Sequence, residues 1–389
     1  MASGARGKRA RTGLADPPKT LSPGSSPLHL DWRDWANGLS AGPAGLISEL
    51  LLSDDVADYV RFRAACAAWR TSTADPRAHG VADRRFHPRR WAMLPRRASS
   101  DQSRQRLFLN AVTGELIHVR VPDLRRYHIC GTTAAEGLLV VCKKATKAVE
   151  LLNPLTGQRA GYPRMDTQLV PGQLDFVPGR AGLADDSTLG FLCGSRILVV
   201  AKPGDEHWMR LNHYGHEIMA ALPFAGRLYC ITHRSVLVVE TTAAAGGGQP
   251  LRLSLVADHE LDDTFNQMYP VYVNDGGGLI LVSRNASRLG VCGLDKEIFA
   301  YGADLDTGSL VQLWGLGGRA LFVGAVRSQS VSVDARVSAS IRADTVYTCE
   351  WDPFTAQRPT VLAFDLWGGE FSRPNFDKKD IAHYLACVE

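Results

Sequence analysis

The feature that most constrains this 389-residue chain is a turn that recurs. Asn110-Ala-Val-Thr113-Gly114, Asn153-Pro-Leu-Thr156-Gly157 and Asp304-Leu-Asp-Thr307-Gly308 share one form: Asn or Asp, two residues, then Thr-Gly. Asn or Asp closes a side-chain turn and Gly supplies a positive φ, so each copy reads as a hairpin tip. Asp365-Leu-Trp-Gly368-Gly369 is a degraded fourth copy. The first two tips lie about 43 residues apart, close to the length of one propeller blade. From about residue 105 short apolar runs surround these tips, among them Leu107 to Leu109, Leu138 to Cys142, Ile197 to Ala201, Leu279 to Ser283 and Val361 to Phe364. Gly, Pro, Asn and Asp punctuate the gaps, and no long amphipathic helix interrupts them. Many short strands leave a sandwich, a barrel or a propeller. The repeat selects a β-propeller of roughly six to seven blades.

A different pattern precedes it. Leu46, Ile47, Leu50 and Leu51 fall on one stripe of a helix, with Pro43 in its first turn. Ser53 and Asp54 offer cap oxygens for a second helix carrying Val56, Val60 and Arg63 on one face. Ala64 to Ala68 have high helix propensity and extend it. Two short helices cannot fold alone, so they must dock on the rest of the chain or on a partner. The expected fold class is mainly β: a small helical module followed by the propeller.

Pro43, Leu46, Ile47, Leu50, Asp55, Val60, Arg61, Phe62, Arg63, Cys66, Trp69 and Arg70 together resemble an F-box. Gly42 departs from the family, which prefers Leu before the proline. Phe86-His-Pro-Arg89, Trp91 and Leu94-Pro95 resemble the connector of a plant subgroup of F-box proteins. Leu316-Gly-Gly-Arg319-Ala-Leu-Phe-Val-Gly324 resembles a strand of the plant F-box-associated propeller. The implied organisation is a disordered tail (1–29), an F-box (30–75), a connector (76–104), a propeller (105–375) and a C-terminal tail (376–389). The separation of patterns also predicts that residues 105–375 fold without the first hundred.

The resemblance implies a non-catalytic receptor subunit of a ubiquitin ligase. Its F-box would bind a Skp-type adaptor, and through it a cullin scaffold, by Pro43, Leu46, Ile47, Leu50, Leu51, Val60, Cys66 and Trp69. Its propeller would bind an unknown protein substrate. The alternative is a propeller scaffold or ligand-binding protein that does not engage the adaptor; Gly42 favours that reading. Trp208, Arg210, His213 and Tyr214 form a basic and aromatic stretch suited to the substrate, because Trp, Tyr and Arg bury area yet keep polar handles. The competing reading has Trp208 filling a gap between blades.

Other chemistries find little support. The formal net charge of +4 gives no case for nucleic acid, and the arginines around Phe86, Trp91 and Met93 read as the wet side of a docked connector. No apolar run is long enough for a membrane span. The eight cysteines form no C-x-x-C pair and fit buried free thiols of a reducing compartment, cytoplasmic or nuclear. Lys8, Arg9 and Arg11 make a small basic cluster that reads as a solvated tail or a nuclear signal. His207, His213 and His216 lack Cys or carboxylate partners at ligand spacing, so no metal or other cofactor is expected. Asp54-Asp55, Asp185-Asp186 and Asp262-Asp263 suit turns and caps, not paired acid–base work.

Overall fold

The computed structural model describes residues 41–94, 105–121, 124–133, 136–165, 176–193, 197–211, 218–232, 234–241, 251–258, 267–273, 278–286, 296–323, 328–332, 339–350, 360–374 and 376. Three helices open it: α1 (Ala41–Asp54), α2 (Val56–Ala65) and α3 (Ala67–Thr71). The cap of α2 is Asp55, one residue beyond the expected Ser53 and Asp54; its carboxylate accepts from Ala57 N. The expected continuous helix through Ala64 to Ala68 breaks at Cys66, which is extended and caps α3 by accepting from Trp69 N. The reason is tertiary. Arg63 donates to the carbonyls of Arg70 and Thr73, and this folds α3 back on α2 against the local alanine propensity.

The rest is a six-bladed propeller. The first blade holds β1 (Trp91–Met93), β2 (Gln105–Asn110) and β3 (Leu116–Arg120). The second holds β4 (Tyr127–Thr133), β5 (Leu138–Lys143), β6 (Ala148–Leu152) and β7 (Arg159–Arg164). The third holds β8 (Phe176–Leu183), β9 (Leu189–Cys193), β10 (Ile197–Ala201) and β11 (Met209–Leu211). A parallel bridge between Thr133 and Ala181 joins these two at their first strands. The fourth has β12 (Ala220–Phe224), β13 (Arg227–Ile231), β14 (Ser235–Glu240) and β15 (Arg252–Asp258). The fifth has β16 (Gln267–Val273), β17 (Gly278–Ala286), β18 (Lys296–Asp304) and β19 (Ser309–Leu313). The sixth has β20 (Arg319–Val323), β21 (Ser328–Ser332), β22 (Thr345–Glu350), β23 (Thr360–Asp365) and β24 (Phe371–Ser372). It departs from a simple meander: β20 and β22 run parallel, with β21 on the far side of β20.

Six apolar clusters close the ring, one at each junction. Phe108 meets Leu139 and Val141 between blades one and two. Val140 meets Phe191 and Trp208 at the next junction. Leu198 meets Leu228 and Cys230, and Tyr229 meets Leu279 and Leu281. Val282 meets Leu321 and Val346 between blades five and six. Phe322 and Tyr347 meet Leu107 and Leu109, returning to blade one. Each blade is thus covered on both faces. That explains why central strands such as Leu189–Cys193 are buried at every position, while outer β3 alternates.

Candidate functional site

The helical pair is a docked surface, and the four repeated tips show how it is held. In every copy the first side chain accepts from the backbone N–H two and three residues on: Asn110 from Val112 and Thr113, Asn153 from Leu155 and Thr156, Asp304 from Asp306 and Thr307, Asp365 from Trp367 and Gly368. The closing glycines 114, 157, 308 and 369 lie at φ 76°, 76°, 69° and 67°. Asn and Asp are not interchangeable here. The two Asn tips lie under the helices and connector, where each spare amide donates: Asn110 Nδ2 to Asp55 at 2.9 Å and Asn153 Nδ2 to the Phe86 carbonyl at 2.7 Å. Asp304 and Asp365 carry the same turn with no such donor.

Asp55 is the centre of the seat. Its carboxylate caps α2, accepts from the connector through Trp91 Nε1 at 2.8 Å and takes Asn110 of the first blade. Burial raises its pKa, against the lowering by Trp91 and Ala57. Gln158 donates to the carbonyls of Pro76, His79 and Gly80, so the second blade grips the connector. Arg84 reaches Asp186 of the third blade at 3.0 Å and the Gly226 carbonyl of the fourth at 2.9 Å. Gly137 allows a close backbone approach: a Cβ there would sit 2.2 Å from the Pro88 carbonyl oxygen. Beneath the helices, Leu52, Val56, Tyr59 and Phe86 form their own cluster, with Leu51 and Leu155 half-buried against it.

This seat orients α1. Ala44, Ser48 and Leu52 face inward and are buried, so the opposite stripe is presented outward. Leu46 is 71% exposed and Leu50 69%, with Ile47 and Pro43 exposed beside them. The expected adaptor residues therefore divide. Pro43, Leu46, Ile47 and Leu50 share one outward surface. Leu51 turns halfway into the core. Cys66 caps α3, and Trp69 stacks on Phe62 with ring centroids 4.4 Å apart. Val60 lines a separate cleft beside Ile117 and Leu155.

Of the expected substrate stretch, Trp208 is only 3% exposed. It packs edge-on to Phe191 at 4.8 Å, and its Nε1 donates to the Pro163 carbonyl. It fills the gap between the second and third blades and offers no contact surface. Arg210 and His207 are exposed; His213, Tyr214 and His216 lie outside the described residues. Among the described residues the exposed indoles are elsewhere: Trp314 at 63% and Trp367 at 84%. Both flank one knot, in which Asp344 accepts from Leu316 N and its carbonyl accepts from Leu366 N. Sequence reasoning passed over Trp367, although it holds the tip position that Leu155 holds in the second blade. Asp185 and Asp186 divide as turn acceptor and Arg84 partner.

A profile of the KIB1-4 beta-propeller family matches residues 108–384. An F-box/kelch-repeat protein of Arabidopsis thaliana is 24% identical over 200 residues, covering 49% of this chain and 50% of that protein. The chain thus spans about half the length of the curated relative it matches. Solved structures with similarity include a structural genomics protein of unknown function from Bacteroides thetaiotaomicron, 8% identical, with TM-score 0.33 over 70% of this chain and 67% of that one. Hydrazine synthase of Kuenenia stuttgartiensis is 13% identical, with TM-score 0.32 over 70% of this chain and 90% of that one. The family profile spans the ring from β2 through the sixth blade, and the chain belongs to the KIB1-4 beta-propeller family, in keeping with its resemblance to plant F-box proteins that carry a C-terminal propeller.

Proposed function

We propose that this chain is the substrate-recognition subunit of a Skp-cullin-F-box ubiquitin ligase. Helices α1 to α3 hold a Skp-type adaptor, and through it a cullin scaffold. The propeller holds the protein to be ubiquitinated. The chain does no chemistry of its own; it raises the target's effective concentration near the transferring subunits. The observation that carries this reading is the outward stripe of Leu46, Ile47 and Leu50 on a helix whose other face is anchored. A monomeric protein gains nothing from three large apolar side chains held in water on a rigid helix, whereas a partner gains about 1.5–3 kcal/mol for each one it buries.

The test is adaptor capture. Leu46→Ala with Leu50→Ala should weaken binding of a Skp-type adaptor at least about a hundredfold, with an unchanged melting temperature, because both side chains are exposed. Full capture by the double variant overturns the reading.

A further inference from the structure

Two clefts adjoin the helical pair, and their charge separates them. One, of about 410 Å³, is lined by Arg84, Arg85, Arg89 and Arg90, but also by Glu49, Asp54 and Asp55. Arg90 is paired with Asp54 at 2.7 Å, Arg84 with Asp186 and Arg85 with Asp83, so its positive charge is answered from within. The other, of about 580 Å³, lies between α2 and the first two blades. Its apolar floor is Val60, Ile117, Val119, Pro154 and Leu155, all but Pro154 partly exposed. Its charged lining is Arg61, Arg77 and Arg120, with His118, and among the described residues no carboxylate lines it. Arg61 is held at the rim by Asp58 and Glu115. Arg77 and Arg120 make no ion pair among the described residues.

From this we infer that the second cleft is a binding site for a small organic anion with an apolar body, a phosphate or a carboxylate. The volume falls within the range of small-molecule sites, which favour boundaries between structural units. Guanidinium groups match phosphate and carboxylate with paired N–H donors, and the partly exposed floor takes the body. The parts come from three regions: Ala57, Val60 and Arg61 from α2, Arg77 from the connector, and the remainder from the blades. A ligand there touches all three and clamps the helical pair to the propeller. The inference does not depend on adaptor binding.

The probe is 1-naphthyl phosphate, titrated calorimetrically into the full chain, with inorganic phosphate and 1-naphthol as its two halves. Saturable binding of 1-naphthyl phosphate, at least tenfold tighter than either half, is expected. Arg77→Ala with Arg120→Ala should weaken it at least tenfold while leaving the melting temperature and adaptor capture unchanged, since both side chains are exposed. Val119→Glu, which places a carboxylate on the floor, should abolish it. Absence of saturable binding, equal binding of inorganic phosphate or of 1-naphthol, or unaltered affinity in the arginine variant each overturns the inference. Leu46→Ala with Leu50→Ala should bind the probe as the parent does, which separates this site from the adaptor surface.

Discussion

At the scale of the residue, environment decides what each tryptophan and each acid does. Trp208 and Trp367 are the same side chain in opposite settings, one sealed between blades and one on a tip. Trp208→Ala should lower the melting temperature by several degrees, since truncating a buried aromatic costs about 3–5 kcal/mol. Trp367→Ala should leave it within about a degree, because a surface substitution stays within about 0.5 kcal/mol. Thermal scans of the two variants side by side check this. Glu136 is buried under the connector with Oε2 unpartnered, and burial raises its pKa to about 7. Folding therefore favours its protonated form. That stabilisation is whole below the ordinary carboxylate value and is lost as pH rises toward 7. It amounts to about 3 kcal/mol over the window. His87 has the opposite sign: burial lowers its pKa to about 4, so its contribution is whole above the ordinary histidine value and is lost as pH falls toward 4. Across the shared window between the ordinary carboxylate and histidine values the two contributions oppose each other, so denaturant titrations of Glu136→Gln should show stability rising with pH more steeply than in the parent. The fall on the acid side should remain.

At the scale of the element, the repeated tip is one turn put to two uses. Its first side chain must accept two backbone N–H groups, which Asn and Asp do equally. Only Asn also donates, and Asn stands where the helices and connector lie down on the ring. Asn110→Asp keeps the turn but turns a carboxylate on Asp55. It should cost at least about 2 kcal/mol, because a charged hydrogen bond is lost and a like charge is gained. Asp365→Asn, at a tip without that neighbour, should be nearly neutral. Faster amide exchange in α2 of the first variant, and not of the second, is the expected signature. The connector is an element of the same kind. Phe86 and Trp91 are buried, as its aromatics suggested, while Arg85 and Arg89 stay in water.

At the scale of the whole molecule, the helices, connector and first blade are one structure in sequence order. Strand β1 comes from the connector and pairs with β2, and Trp91 packs with Phe108 and Leu139. The expectation that residues 105–375 fold alone therefore changes. A chain lacking residues 1–104 loses β1 and should melt well below a chain lacking only residues 1–74, or fail to give a cooperative transition. Calorimetry of the two truncations decides this, and equal stability would contradict the role given to β1. The sequence by itself determined the class of fold, because the Asn/Asp-x-x-Thr-Gly turn carries its own geometry in four or five neighbouring residues. It determined the existence of α1 and α2 in the same way, through apolar spacing, while the cap of α2 fell one residue on, at Asp55. Contacts distant in sequence decided the rest. Whether Trp208 is surface or core depends on Phe191 and on Pro163 of another blade. Which stripe of α1 meets water depends on Asp55 finding Trp91 and Asn110, partners 36 and 55 residues away. An apolar stripe reads the same in sequence whether it faces a core or a partner, and only the seat beneath the helix distinguishes the two.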